Sequence, residues 1–212
     1  MTQTAIRPQQ TVVEHEPVWV KFKPLEYMDD EAIARFSALN PELRIERTEE
    51  GEIVVMPPTH GYTGLRNSEI SADLTVWGRR DGRGKYFDSS TGFRLPNGAM
   101  RSPDAAWVLQ SRLDALKPEE KDGYIHICPD FVIELRSTSD SLSALQAKMQ
   151  EYMDNGARLG WLIDPVSSPP RVHVYRPGAE VEILDEPTEI SGAPELPGFV
   201  LNMTRIWEAS LD

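Results

Sequence analysis

Pro129-Asp130-Phe131-Val132-Ile133-Glu134-Leu135-Arg136-Ser137 is the stretch whose reading decides the fold. Phe131 to Leu135 is a nearly continuous apolar run of strand length, which predicts a β-strand covered on both faces. One acid, Glu134, interrupts it. An unpaired buried carboxylate is expensive, so a cation, a partner base or a metal is expected beside it. Side chains two apart on a strand share a face. Val132, Glu134 and Arg136 therefore point one way, and Phe131, Ile133 and Leu135 the other. At roughly 3.3 Å per residue, Glu134 and Arg136 stand about 6.6 Å apart and can line one pocket.

A second strand with an acid precedes it: Ser102-Pro103-Asp104-Ala105-Ala106-Trp107-Val108. Two Pro-Asp pairs thus compete as partners for Glu134. Asp130 lies roughly 13 Å away along the same strand, too far to share a metal unless the strand bends. Asp104 is on a separate strand without that limit and is preferred, and Asp130 reads as a strand-start turn residue. A turn role is open to Asp104 as well, and a buried ion pair with Arg136 is open to Glu134. Lys148 and Tyr152, four apart on a predicted helix over 142–155, share one face with Leu145. The alternative for them is a solvated lysine and a core tyrosine. Two acids on neighbouring strands, followed by cations, suggest a Mg²⁺ site for phosphodiester chemistry.

Around this centre the chain alternates. Helices are predicted over 29–39, 61–80 and 142–155, with a short one near 204–210. Hairpins are predicted for 43–47 with 52–56, within 86–95 around Ser-Ser-Thr-Gly, and for 171–175 with 180–184. Strands are expected over 104–108, 131–135 and 159–165. The order is β-rich at both ends with a strand–helix–strand unit in the middle, which suggests an α/β sandwich on a mixed sheet.

With 212 residues, 40% of them hydrophobic, the chain can build one substantial core, and a single domain over 17–212 is expected after a polar, mobile tail over 1–16. Lys and Arg total 22 against 34 Asp and Glu, a net charge of -12. That balance counts against general nucleic-acid coating while leaving room for a local basic groove. The one dense basic cluster, Arg79 to Lys85, reads as a solvated helix end and loop ahead of a phosphate contact. Cys128 is the only cysteine, which excludes an intrachain disulfide and paired-cysteine zinc sites. The N-terminus lacks an apolar signal core, and no apolar run approaches the roughly 18 residues of a spanning helix. A cytoplasmic protein without a membrane segment is expected.

Seven segments carry a resemblance. Met56-Pro57-Pro58-Thr59, Arg66-Asn67-Ser68-Glu69-Ile70, Phe87 to Pro96, Arg101 to Val108, Pro129 to Ser137, Lys148 to Gly156 and Gly160 to Pro165 look, in that order, like the Uma-two family of restriction-endonuclease-like bacterial proteins. The resemblance implies the PD-(D/E)XK nuclease superfamily: an α/β fold with a restriction-endonuclease-like mixed β-sheet flanked by helices, here with extra β-hairpins. It implies Asp104 and Glu134 as ligands of Mg²⁺ or Mn²⁺, with a backbone carbonyl near Leu135 as a third. Glu69 would be the acid on the preceding helix, tuning a second metal or holding a base. DNA is the implied substrate, and a homodimer is implied because superfamily members that cut both strands often pair two subunits.

The sequence departs from the family pattern at Arg136, which stands where a lysine is usual. A guanidinium cannot deprotonate in a protein, so it cannot act as a base, although it can stabilise phosphorane charge. Lys148, in a Lys-Met-Gln-Glu-Tyr segment similar to the Gln-x-x-x-Tyr helix motif of related nucleases, is expected to supply the ammonium. The implied activity is metal-dependent DNA cleavage. The alternative is a catalytically inactive nuclease fold that binds nucleic acid or a protein partner. His60, just before the first long helix, could touch substrate or be a loop residue without a role.

Overall fold

Both faces of the Phe131–Leu135 strand are covered, as its sequence requires, and all five residues are buried. The computed structural model describes residues 20–212 apart from 25, 42 and 57; the tail expected over 1–16 lies outside the described residues. In chain order the elements are β1 (Val20–Phe22), α1 (Asp30–Leu39), β2 (Arg44–Arg47), β3 (Ile53–Met56), α2 (Gly61–Asp81), β4 (Gly84–Asp88), β5 (Phe93–Arg94), β6 (Met100–Arg101), β7 (Ala105–Leu109), α3 (Gln110–Asp114), a 3-10 turn at Pro118–Glu120, β8 (Phe131–Leu135), α4 (Leu142–Asp154), β9 (Leu159–Asp164), β10 (Arg171–Tyr175), β11 (Glu182–Asp185), β12 (Glu189–Ser191), β13 (Val200–Asn202) and α5 (Thr204–Trp207).

Six strands form one mixed sheet in the order β11-β10-β9-β8-β7-β4. Within it β8 and β9 run parallel and every other pair is antiparallel. A parallel pair needs a long crossover, and α4 supplies it. A second sheet runs β1-β3-β2-β6-β5, and β12 with β13 makes a small ribbon. This is the α/β, restriction-endonuclease-like arrangement expected from the motifs.

The two faces of the large sheet carry different helices. On one face Ile70, Leu74 and Trp77 of α2 pack with Trp107, Phe131, Ile133 and Trp161. The Trp161 and Phe199 rings stack at 5.5 Å there, and Phe131 meets Trp161 edge-on at 4.8 Å. On the other face Leu145, Met149, Tyr152 and Met153 of α4 cover Ala106, Val108, Val132 and Leu162. Each such large apolar side chain contributes about 1.5–3 kcal/mol on burial, so two-sided packing fixes β8 as a strand. At Gly160 on β9 an added Cβ would strike the Met149 and Met153 side chains; glycine lets α4 lie close to the sheet.

Local signals set the helix ends. Asp29 caps α1 by accepting from the Ala32 amide at 2.8 Å, and α1 then buries Ile33 against Ile45, Ile53 and Met100. Ser141 caps α4. Asn155 and Gly156, the latter at φ 105°, end it as the Asn-Gly pair predicts.

The hairpins expected at 43–56 and 171–184 form, with Arg44 opposite Met56 and His173 opposite Ile183. The one expected within 86–95 does not. β4 pairs with β7 in the large sheet, whereas β5 pairs with β6 in the other. Asp88 explains the break: its carboxylate accepts from the Ser90 amide and hydroxyl at 3.0 and 2.6 Å and turns the chain out of the sheet. The local hairpin forms one turn later, at Leu95-Pro96-Asn97-Gly98, where the Gly98 amide donates to the Leu95 carbonyl at 2.9 Å. The β12–β13 ribbon carried no alternation strong enough to predict, and the final helix is shorter than expected. No helix among the described residues is long and apolar enough to cross a membrane.

Candidate active site

Strand register brings the two acids together. In the antiparallel β7–β8 pair Ala106 lies opposite Val132 and Ala105 opposite Ile133. One step further puts Asp104 opposite Glu134, on the face that carries α4. Both acids line a cavity of about 280 Å³ together with Leu135, Lys148, Arg44 and Asn67.

Each carboxylate is held. Asp104 accepts from the Leu135 amide at 2.9 Å through Oδ2, and from Arg44 Nη1 at 3.1 Å and Asn67 Nδ2 at 3.4 Å through Oδ1. Arg44 also donates to the Ser102 carbonyl. Glu134 Oε1 accepts from the Tyr152 hydroxyl at 3.0 Å and pairs with Lys148 Nζ at 2.8 Å. Lys148 is shared, because Glu46 Oε1 also stands 2.8 Å from it. Glu46 takes the Ser102 amide at 2.9 Å and Arg101 Nη1 at 3.2 Å, and Arg101 Nε reaches Glu151 at 2.6 Å.

The charges sort themselves by neighbours. Burial pushes the Glu134 carboxyl up, and Asp104 and Glu46 add to the shift against the pull of Lys148. Burial would raise Glu46 too, but Lys148, Arg101 and Arg44 outweigh it and hold its carboxyl below the usual range. Burial opposes the ammonium of Lys148, yet Glu134 and Glu46 raise its pKa above the ordinary value. Tyr152 is pushed well up, first by burial and then by the same two acids, so it stays a neutral donor. Glu46 therefore carries a firm negative charge, Lys148 a firm positive one, and Glu134 is the acid that takes up protons most readily.

The cluster is left short of positive charge. Arg44, Arg101 and Lys148 face Glu46, Asp104, Glu134 and Glu151, three cations against four carboxylates. Among the described residues no three His, Cys, Asp or Glu side chains gather closely enough to hold a metal alone. Two opposed carboxylates in a polar cavity instead make an open oxygen donor set, which suits an ion that keeps several waters, as Mg²⁺ does. Glu134 Oε2 takes no hydrogen bond from the described residues, and the net negative charge favours a cation. The residues present fit such an ion.

Of the residues singled out in the sequence, Asp104, Glu134, Leu135 and Lys148 meet in this cavity. Arg136 does not. β8 ends at Leu135, the alternation rule ends with it, and Arg136 turns to Asp164, with Nη1 at 3.0 Å and 3.2 Å from the two carboxylate oxygens. It forms an ion pair there, outside the cavity lining. Glu69 is also elsewhere: on α2 it sits about 200° around the helix from Asn67, beside Arg205 at 3.8 Å. Glu69→Ala is expected to leave metal binding unchanged and to shift stability by less than about 0.5 kcal/mol; loss of metal binding in a calorimetric titration would return Glu69 to the site. Asp130 braces the strands, accepting from the Leu109 amide at 2.9 Å and pairing with Arg112 at 3.0 Å. Cys128 is buried, which pushes its thiol up to about 12 and makes it an inert core residue.

Sequence reasoning missed Glu46, Arg44 and Arg101. The available signal was Arg44-Ile45-Glu46 on a predicted strand, two charges on one face. It also left Asn67 and Thr63 unassigned and His60 open between a substrate contact and no role, although all three line the cavity.

A family model described as Uma2, "Putative restriction endonuclease", matches residues 30–204. Among solved structures the chain is similar to a crystal structure from Anabaena variabilis titled as a putative nuclease belonging to DUF820. The identity is 25% and the TM-score 0.64, and the match covers 77% of this chain and 89% of that one. No curated protein matches this chain.

Proposed function

This chain belongs to the Uma2 family of restriction-endonuclease-like proteins, and from that premise we propose that it is a divalent-metal-dependent DNA endonuclease hydrolysing phosphodiester bonds at the Asp104–Glu134 cavity. The observation that carries the reading is the β7–β8 register, which opposes two acids over a cavity that also contains the ammonium of Lys148.

Asp104 and Glu134 would hold Mg²⁺ or Mn²⁺, with the Leu135 carbonyl as a third ligand. When bound, such an ion lowers the pKa of a coordinated water and offsets charge on the scissile phosphate. The chain's own residues have distinct tasks. Arg44 and Asn67 fix the direction of Asp104, and Tyr152 fixes that of Glu134. Lys148 stays protonated between its two acids, so it is not a general base. Its ammonium takes the place of the lysine that the family pattern puts at position 136 and stabilises negative charge developing on the phosphate. Glu46 keeps Lys148 charged and in place.

The raised pKa of Glu134 gives the reading a pH signature. A metal ligand must be deprotonated, and burial makes Glu134 bind its proton more readily than an ordinary carboxylate. Mn²⁺ affinity, measured by calorimetry between about pH 8 and about pH 5, is expected to begin falling above the usual carboxylate range. A flat profile across that window would count against Glu134 as a ligand.

Cutting both strands takes two such cavities, so the reading includes a homodimer. Sedimentation of a strictly monomeric protein that nevertheless cuts both strands would remove that part. A reducing cytoplasm suits a chain whose single cysteine is buried.

A further inference from the structure

We infer that Asn67 is a further ligand of the divalent ion, offering it a neutral side-chain oxygen beside Asp104 and Glu134. The inference rests on the reading of this cavity as a metal site. It adds a donor beyond the two acids and the Leu135 carbonyl.

The first support is an idle acceptor. Oδ1 of Asn67 is buried and has no hydrogen-bond partner among the described residues. Buried side-chain oxygens are normally satisfied, and leaving one unpaired is costly. Asn67 lines the same cavity as both acids. The donors around it are committed elsewhere. Arg44 Nη1 serves Asp104, Lys148 serves Glu46 and Glu134, and the Tyr152 hydroxyl serves Glu134. Arg44 Nε is the other unpaired atom among the cavity's lining residues, and it makes no bond to Asn67 either. A cation is a partner that this oxygen can use, and the net negative charge of the cluster draws one in.

The second support is placement. Ile70, Leu74 and Trp77 pack in the core and fix the rotation of α2. Asn67 lies one turn before Ile70 on the same side, so it is held over the site. Its Nδ2 stands 3.4 Å from Asp104 Oδ1, longer than the roughly 2.7–3.2 Å of a good N–H···O bond. Neighbouring ligand oxygens in an octahedral Mg²⁺ shell, each about 2.1 Å from the ion, stand about 3 Å apart. Rotation about χ2 exchanges the two ends of the amide, which are nearly equal in size. That rotation gives up one weak hydrogen bond and sets Oδ1 at a ligand's spacing from Asp104 without moving the backbone.

The chemistry of the donor agrees. Mg²⁺ and Mn²⁺ take hard oxygens, amide carbonyls among them. Four carboxylates already face three cations here. A further buried acid would add to that excess, whereas an amide adds a donor without a charge.

The test is a calorimetric titration of Mn²⁺ into the full-length wild type, Asn67→Asp and Asn67→Leu, with the Mn²⁺-induced rise in Tm as a second reading. Asn67→Asp keeps an oxygen at this position and removes the NH₂ group. Asn67→Leu removes both at similar volume. The leucine variant is expected to bind Mn²⁺ about tenfold or more weakly. The aspartate variant is expected to bind at least as tightly as the wild type, because added ligand charge raises affinity. A residue that only steadies Asp104 through Nδ2 would lose affinity in both variants, since neither side chain can donate, and that result would overturn the ligand. So would wild-type affinity in both variants, or no Mn²⁺ binding by the wild type. If the leucine variant fails to fold, the aspartate arm decides alone: affinity kept or raised upholds the ligand, and affinity lost overturns it. Metal-dependent cleavage with wild-type Mn²⁺ affinity in both variants would overturn the ligand and leave the nuclease reading standing. The expected order of affinities, with no cleavage by the wild type on any DNA, would uphold the ligand and end the nuclease reading.

Discussion

Replacing Lys148 with methionine is expected to cost about 3–5 kcal/mol of folding free energy, the usual consequence of removing one partner from a buried ion pair. Methionine fills similar space, so packing is not the cause. What remains is two buried carboxylates, Glu46 and Glu134, each of which had the ammonium 2.8 Å away. That Lys148 has a raised pKa despite its burial means that attraction to the two acids outweighs its desolvation. The sign with pH follows. In the wild type Glu46 has a depressed folded pKa, so it contributes stability that is present above the unfolded carboxylate pKa and lost as pH falls through the folded value. In Lys148→Met it is Glu134, already raised by burial, that loses its main cation. Its folded pKa moves up, and stability falls as pH rises from the unfolded value through the raised one. The deficit should therefore be largest at neutral pH and shrink in mild acid. Adding Glu134→Gln to Lys148→Met should recover part of it. Urea unfolding of the single and double variants at two pH values measures all of this, and a loss below about 1 kcal/mol, the value of an exposed pair, would contradict the arrangement.

Glu134→Gln is expected to behave in the opposite way. Cleavage should fall at least about a thousandfold, since a bound metal supplies several kcal/mol of transition-state stabilisation. Folding stability should stay within about 1 kcal/mol or rise. Glutamine keeps the shape and can still accept from Tyr152 through its carbonyl oxygen. Lys148 retains Glu46, and Glu46 keeps its three cations. The group removed is a buried acid whose charged form is already disfavoured. Activity and stability thus separate at position 134 and move together at position 148. Intact cleavage by Glu134→Gln, or collapse of its fold, would each contradict the roles assigned.

These two residues also mark what the sequence made legible. Glu134 could be found because β8 is buried on both faces, so one acid in an apolar run stands out, and because alternation holds for the whole strand. Arg136 lay one residue past the strand end, where alternation no longer directs a side chain, and it went to Asp164 instead. Glu69 was chosen from motif position, and helical geometry puts it far around α2 from Asn67. Glu46 was out of local reach: it is 102 residues from Lys148, and only the placing of β2 beside β6, with the Ser102 amide on its carboxylate, closes that pair. A usable signal did exist on α2, where one stripe is apolar at Ile70, Leu74 and Trp77 and polar at His60, Thr63 and Asn67. A stripe that changes character partway along a helix marks the point where the helix leaves the core for a wet cavity. The break between β4 and β5 was missed for a related reason, since the Asp88 turn outcompetes the alternation on either side of it.

The most direct test is a calorimetric titration of Mn²⁺ into the wild type, Asp104→Asn and Glu134→Gln, repeated with a short DNA duplex present. The account predicts that the wild type binds about one or two ions and that both substitutions abolish the binding while leaving the fold intact. Binding that survives both substitutions, or a wild type that takes up no Mn²⁺ even with duplex present, would contradict it and leave this cavity as part of a nuclease fold that binds without cutting.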